Sequence, residues 1–191
     1  MNTNTDSKHL AEQYGGRSSK RIAIAAAARL GIALVAGLLL ATPCAKAETK
    51  LSTEDKDFIH ATALSGITEL KLGELAVQKG MRDDVRAFGQ MMVKDRTAIN
   101  ADLKALSAQK GETLPDRLDT NNQGLVDKMA ALTGEEFDQA YIGAMITAHK
   151  EESAQFKTVS AKTKDADIQS FVDKCIPVVD AHLKRIVAMK K

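Results

Sequence analysis

The sequence predicts an all-α protein: four long amphipathic helices in two hairpins, joined by a long crossover and preceded by an N-terminal signal helix. Three observations carry this. Ala, Leu, Lys and Asp dominate, aromatic residues make up only 4% and Trp is absent, a mix that suits helices better than sheets. Four long stretches repeat apolar side chains at steps of three and four, the mark of one buried helix face. Between the second and third of them lies a turn-rich segment too long for a simple hairpin.

The first element is an address. Arg17, Lys20 and Arg21 precede an apolar run, Leu30 to Ala41, that has the size of a signal-peptide core and is short for a membrane span of about 20 residues. Ala45, Lys46 and Ala47 supply an A-x-A site, so cleavage is expected between Ala47 and Glu48. That makes 1–47 a signal peptide and 48–191 the domain, delivered to the periplasm. The alternative is an uncleaved helix, Ile22 to Ala41, anchoring the chain in the inner membrane; only then would the N-terminal segment touch a membrane. The net charge of +2 is uneven: beyond residue 47 the chain carries 21 basic and 23 acidic residues. A nearly neutral domain with interspersed signs excludes nucleic acid as an electrostatic partner. It leaves an envelope protein or a second copy of the chain as partner. With Cys44 in the leader, Cys175 is the only thiol of the domain and sits on an apolar stripe, as a small core residue does.

The first long helix opens at Ser52 or Thr53, with Glu54, Asp55 and Asp57 at the positive end of its dipole, and stops at Gly80. Its inner line is Phe58, Thr62, Ser65, Glu69, Leu72 and Ala76. The second runs from near Asp83 to before Gly111, and Arg96 is the one interruption in its stripe of Val85, Phe88, Met92, Ile99, Leu103 and Leu106. The turn residues from Gly111 to Gly124 and a short helix over about 121–132 then form the crossover, as in ferritin-like folds. Thr133 with Glu136 three residues later reads as a capping box opening the third long helix, which ends near Thr163. Asp138, in its first turn, reads as an acid serving that helix's dipole. Asp165 or Asp167 caps the last helix, striped by Ile168, Phe171, Val172, Cys175, Val179, His182 and Ile186, with Pro177 expected to kink it.

Each long helix carries an ionisable residue on its buried stripe: Glu69, Arg96, His149 with Glu152, and His182. Their distances from the hairpin turns place them in one mid-bundle layer, where helix bundles hold metals. His149 and Glu152, at i and i+3, aim at one point. The candidate ligands are therefore His149, Glu152, His182 and Glu69, for a divalent metal such as iron or zinc. Against this stands the bland reading, in which a core histidine is simply satisfied by a neighbour. Met81, Met91, Met92, Met129 and Met145 read as core filler rather than a copper site.

The chain resembles a bacterial envelope family of unknown function, often labelled predicted outer membrane protein, with a ferritin-like helical domain. The resemblance covers nearly all of 55–190. It rests on Phe58, Gly66, Glu69, Leu72, Gly73, Leu75 and Ala76, on Met92 to Asp95, and on Leu114 and Pro115. Further along it rests on Gly134, Phe137, Asp138, Tyr141, His149, Pro177 and His182. It implies an exported ferritin-like four-helix bundle and no established activity. Where the family usually shows His after Met-Val-x-Asp, this chain has Arg96. Arg stays protonated and cannot ligate a metal as imidazole does. The expectation is that Arg96 pairs with Glu69, Glu152 or both, and repels a divalent ion.

Three functions follow from these residues: a non-catalytic envelope bundle with a structural polar layer and no cofactor, a mononuclear metal-binding protein, and a di-iron oxidase or peroxidase. The last wants Glu-x-x-His motifs, and none occurs beyond residue 47. No G-x-S-x-G supports nucleophilic hydrolysis either. The residues lean away from an enzyme.

Overall fold

The computed structural model describes residues 50–190. The leader 1–47, the Ala47/Glu48 cleavage site and the Ile22–Ala41 segment lie outside the described residues. Five helices follow in order: α1 (Thr53–Lys79), α2 (Asp83–Gln109), α3 (Thr120–Ala131), α4 (Gly134–Lys162) and α5 (Ala166–Ala188). Among the described residues no strand occurs, and no helix is long and apolar enough to cross a membrane.

α1 packs on α2 and α4 packs on α5 as two hairpins; α1 also touches α4, and α2 touches α5, which closes a bundle of four long helices. α3, in the crossover, lies mainly against α1 and also touches α4. The first hairpin is tight because glycines face each other: a Cβ on Gly89 would come within 2.8 Å of both the Ala76 Cβ and the Gly73 carbonyl. Gly111 and Gly134, at φ 70° and 60°, occupy the left-handed region where a side chain is strained.

The helix starts show where local rules hold and where they give way. Ser52 caps α1 by accepting from the Asp55 amide at 3.0 Å. Asp165, rather than Asp167, caps α5, accepting from the Asp167 and Ile168 amides. Thr133 stands at the N-cap of α4 but its side chain makes no capping bond, so the capping box does not form. α2 follows Arg82 at its N-cap, which supplies no side-chain capping bond. Its start is capped from α4: Asp138 accepts from the Met81 amide at 3.0 Å and the Arg82 amide at 2.9 Å. The carboxylate therefore serves the neighbouring helix, across the bundle, rather than its own. α5 runs through Pro177 as one helix.

The apolar interior is two clusters. One gathers Leu72, Phe88, Met92, Tyr141, Met145 and Ile186; the other gathers Phe58, Ile99, Phe156, Phe171, Cys175 and Val179. Every long helix crosses from one to the other at a polar residue. Glu69 lies between Ala63 and Leu72 in sequence, Arg96 between Met92 and Ile99, Glu152 between Met145 and Phe156, and His182 between Val179 and Ile186. The core is divided by a polar layer.

Candidate functional site

Arg96 is the centre of that layer. α2 carries it on the stripe facing the other three long helices, and it is fully buried. Its Nη1 donates to Glu152 Oε1 at 2.6 Å and its Nη2 donates to Glu152 Oε2, a two-point fork that only a planar guanidinium makes. The same Nη2 lies 2.7 Å from Glu69 Oε2. That second contact is an ion pair without an aligned hydrogen bond, and it leaves Glu69 Oε2 and the Arg96 Nε without a hydrogen-bond partner. Glu69 is held from its own helix by the Ser65 hydroxyl, which donates to Oε1 at 3.0 Å.

The two histidines flank this triad and are pinned from outside. His149 bonds the Met145 carbonyl through Nδ1 at 2.8 Å; a carbonyl only accepts, so Nδ1 carries the proton and Nε2 a lone pair. That bare Nε2 lies 3.7 Å from Glu69 Oε2 and has no hydrogen-bond partner. His182 gives Nε2 to the Asp95 carboxylate at 2.9 Å, leaving a buried, unpartnered Nδ1. The two rings meet edge to face with centroids 5.4 Å apart, and Phe88 packs against both. The Tyr141 hydroxyl is likewise buried without a partner.

Charge follows from burial. Removal from water pushes the Glu69 carboxyl up to about 7; the Arg96 charge pulls it back only partly, and Glu152 adds to the rise. Burial, then the Arg96 charge, pushes His149 down to about 4, so the ring is neutral at pH 7. Burial also lowers His182, against the opposing pull of Asp95. For Arg96, burial works against the charged form, but the two carboxylates outweigh it and hold the guanidinium above its ordinary value. Burial, aided by Glu152, pushes the Cys175 thiol up to about 11, which keeps it protonated and non-nucleophilic.

Of the four residues read as metal donors, three come together: Glu69, His149 and Glu152 each offer a ligand atom, all within 4.8 Å of one another. His182 stands outside that set. The same three surround a guanidinium that already claims both Glu152 oxygens. Three participants carried no sequence signal as site residues. Asp95 lies off the α2 stripe, Ser65 looked like an ordinary small residue on the α1 line, and the buried hydroxyl of Tyr141 is hidden in an aromatic that packs as core.

The family model for the domain of unknown function DUF4142 matches residues 40–189, and the chain belongs to that family. No curated protein matches the chain. Among solved structures, the crystal structure of a DUF305 fragment from Deinococcus radiodurans superposes with a TM-score of 0.65 at 9% identity, over 74% of this chain and 97% of that one. CopM in its Cu(I)-bound form superposes with a TM-score of 0.60 at 16% identity, over 73% of this chain and 96% of that one. Its Cu(II)-bound form gives the same score and identity over 70% and 93%. These likenesses are of the helical fold.

Proposed function

We propose that this chain is an exported, non-catalytic bundle of the ferritin-like type, in which Arg96 is a built-in cation occupying the place a metal would take between two carboxylates. The observation that carries this reading is the fork from Arg96 to Glu152 together with the 2.7 Å contact to Glu69. A fixed guanidinium offsets the desolvation of both acids and adds a positive charge where a divalent ion would need to sit. In this reading residues 1–47 direct export and are removed between Ala47 and Glu48, and 48–191 works in the periplasm. If Ile22 to Ala41 is retained instead, the same bundle is tethered to the inner membrane. Its partner is an envelope protein or a second copy. Elemental analysis of untagged protein tests the reading: iron, zinc or copper well below one per chain is expected, and about one tightly bound ion per chain would overturn it.

A second reading, a mononuclear metal-binding protein using Glu69, His149, Glu152 and His182, is favoured by one specific observation. Each histidine has one nitrogen pinned by a carbonyl or carboxylate and the other bare, as metal-ligating histidines do. The CopM structures of similar fold hold Cu(I) and Cu(II), which makes copper, beside iron and zinc, the ion to try. The same elemental analysis separates the two readings, since only this one expects a stoichiometric ion.

A further inference from the structure

The crossover helix α3 is fastened to the bundle at one end. Its two buried side chains, Val126 and Met129, both lie in the C-terminal half and join the core cluster of Leu72, Phe88 and Tyr141. The Lys79 ammonium of α1 donates to the Ala130 carbonyl and pins the same end. Among the described residues, the side-chain hydrogen bonds of the other half stay within α3 and its cap. Asp119 accepts from the Asn122 amide at 2.8 Å, and the Gln123 side chain donates to Asp127 at 2.7 Å. Gly124 separates the two halves. No described side chain or neighbouring helix comes within 4 Å of where its Cβ would be, so packing does not call for glycine there, and the residue weakens the helix at that point.

The loosely held half borders a groove of about 640 Å³ that runs between α1 and α4 and is lined from α3 by Asn122 and Leu125. The outer part of the groove is open, with Ala61, Thr147 and Glu151 exposed. Its inner end is closed: Thr68 is 4% exposed, and Glu69 and Glu152 of the polar layer are buried. Leu125 lines the groove and is still 39% exposed, so α3 covers it without sealing it. We infer that the N-terminal half of α3 is a lid, bending at Gly124, that opens and closes the way from solvent to the polar layer. Lifting it brings no buried apolar side chain into water and gives up only the Asp119 cap and about one turn of helix, whose hydrogen bonds water replaces. Any of the four long helices would instead have to expose an apolar stripe and a buried ionisable residue. The easy motion therefore belongs to α3.

The lid goes beyond both readings of the layer, because it concerns access and holds whether Arg96 or a metal ion supplies the charge inside. The test is thiol labelling of the full chain carrying Thr68→Cys. The Thr68 hydroxyl bonds only the Leu64 carbonyl of its own helix, so a thiol is accommodated there. Iodoacetamide is the reagent, and peptide mass spectrometry reads position 68 apart from Cys44 and Cys175. Labelling of the folded chain is expected. Adding Gly124→Ala should slow it about two- to five-fold by stiffening the hinge. Adding Asp119→Ala should quicken it about five-fold by removing the cap of the free end. Val172→Ala, in the other core cluster on α5, should lower the urea midpoint and leave the labelling rate unchanged. The inference is overturned if Val172→Ala quickens labelling in step with the stability lost, since position 68 would then be reached by unfolding of the whole bundle. It is equally overturned if neither α3 variant changes the rate, or if position 68 of the folded chain is not labelled. Metal content enters none of these outcomes, so this result and the elemental analysis can fail independently.

Discussion

Arg96 and Glu152 meet across the bundle in a buried two-point ion pair, Nη1 to Oε1 at 2.6 Å, and join α2 to α4 where the apolar core is interrupted. The other polar links between the hairpins in this layer run through the histidines, Glu69 to His149 and Asp95 to His182. The fold's energetics and its chemistry both turn on this pair.

Removing the guanidinium alone should be costly. Arg96→Met leaves Glu69 and Glu152 buried without a counter-charge and is expected to lower stability by about 3–5 kcal/mol in urea unfolding. Replacing the group as a whole, Arg96→Met with Glu69→Gln and Glu152→Met, should recover most of that loss. Arg96→Lys should not rescue, because an ammonium cannot make the fork. Equal stability of Arg96→Met and the parent would show that the pair contributes nothing.

Between about pH 4.5 and 6.5 the contributions of Glu69 and His149 to the pH dependence of stability should cancel. Folding raises Glu69 from 4.5 to about 7, so that group holds an extra proton in the native state and its contribution is lost as pH rises through 7. Folding lowers His149 from 6.5 to about 4, so that group holds an extra proton in the unfolded state and its contribution is lost as pH falls through 4. Within the shared window the two proton counts cancel. Glu69→Gln removes one side, and relative to the parent stability should then fall on acidification from 7 to 4.5, by up to about 1.4 kcal/mol per pH unit. His149→Gln should do the opposite, with stability falling relative to the parent as pH rises from about 4 to 6.5. His182, also lowered by burial, adds the same sign as His149 in every variant and drops out of the comparison. Denaturant melts across pH decide it; parallel profiles for parent and both variants would contradict it.

Asp138 should matter to α2 more than to the helix that bears it. Asp138→Ala orphans the Met81 and Arg82 amides and is expected to cost about 1–2 kcal/mol. Hydrogen exchange should quicken at residues 81–86 before it does so at the start of α4. Faster exchange confined to residues 134–138 would mean that the carboxylate serves its own helix.

Two glycine substitutions should move stability in opposite directions. Gly89→Ala drives a methyl against the Gly73 carbonyl and should destabilise by about 1–3 kcal/mol. Gly143, in the exposed middle of α4, has open space where its Cβ would lie, and Gly143→Ala should stabilise by about 0.5–1 kcal/mol. Thermal melts of both variants check the pair.

Much of the helical frame was legible because periodicity is a local property. Steps of three and four along Val85, Phe88, Met92 and Arg96 say which side of α2 is buried, whatever packs against it. The same steps marked Glu69, Arg96, His149, Glu152 and His182 as ionisable residues on inner faces. What each one touches was not legible, because pairing depends on how four rods are rotated and shifted. Asp95 precedes Arg96 by one residue, about 100° around the helix, which puts it off the buried stripe that periodicity marks. It holds His182. Asp138 and Thr133 show the same limit at a helix start: the local rule read a dipole acid and a capping box. Tertiary packing turned the acid to α2 and left the threonine side chain without a capping bond.

The most direct test of the internal cation is a paired titration of the parent chain and Arg96→His with zinc, copper and ferrous iron. The parent is expected to bind none of them stoichiometrically. The histidine variant, which frees Glu152 and places an imidazole beside Glu69 and His149, is expected to take up about one ion per chain. Stoichiometric binding by the parent, or none by a folded Arg96→His variant, would contradict the account.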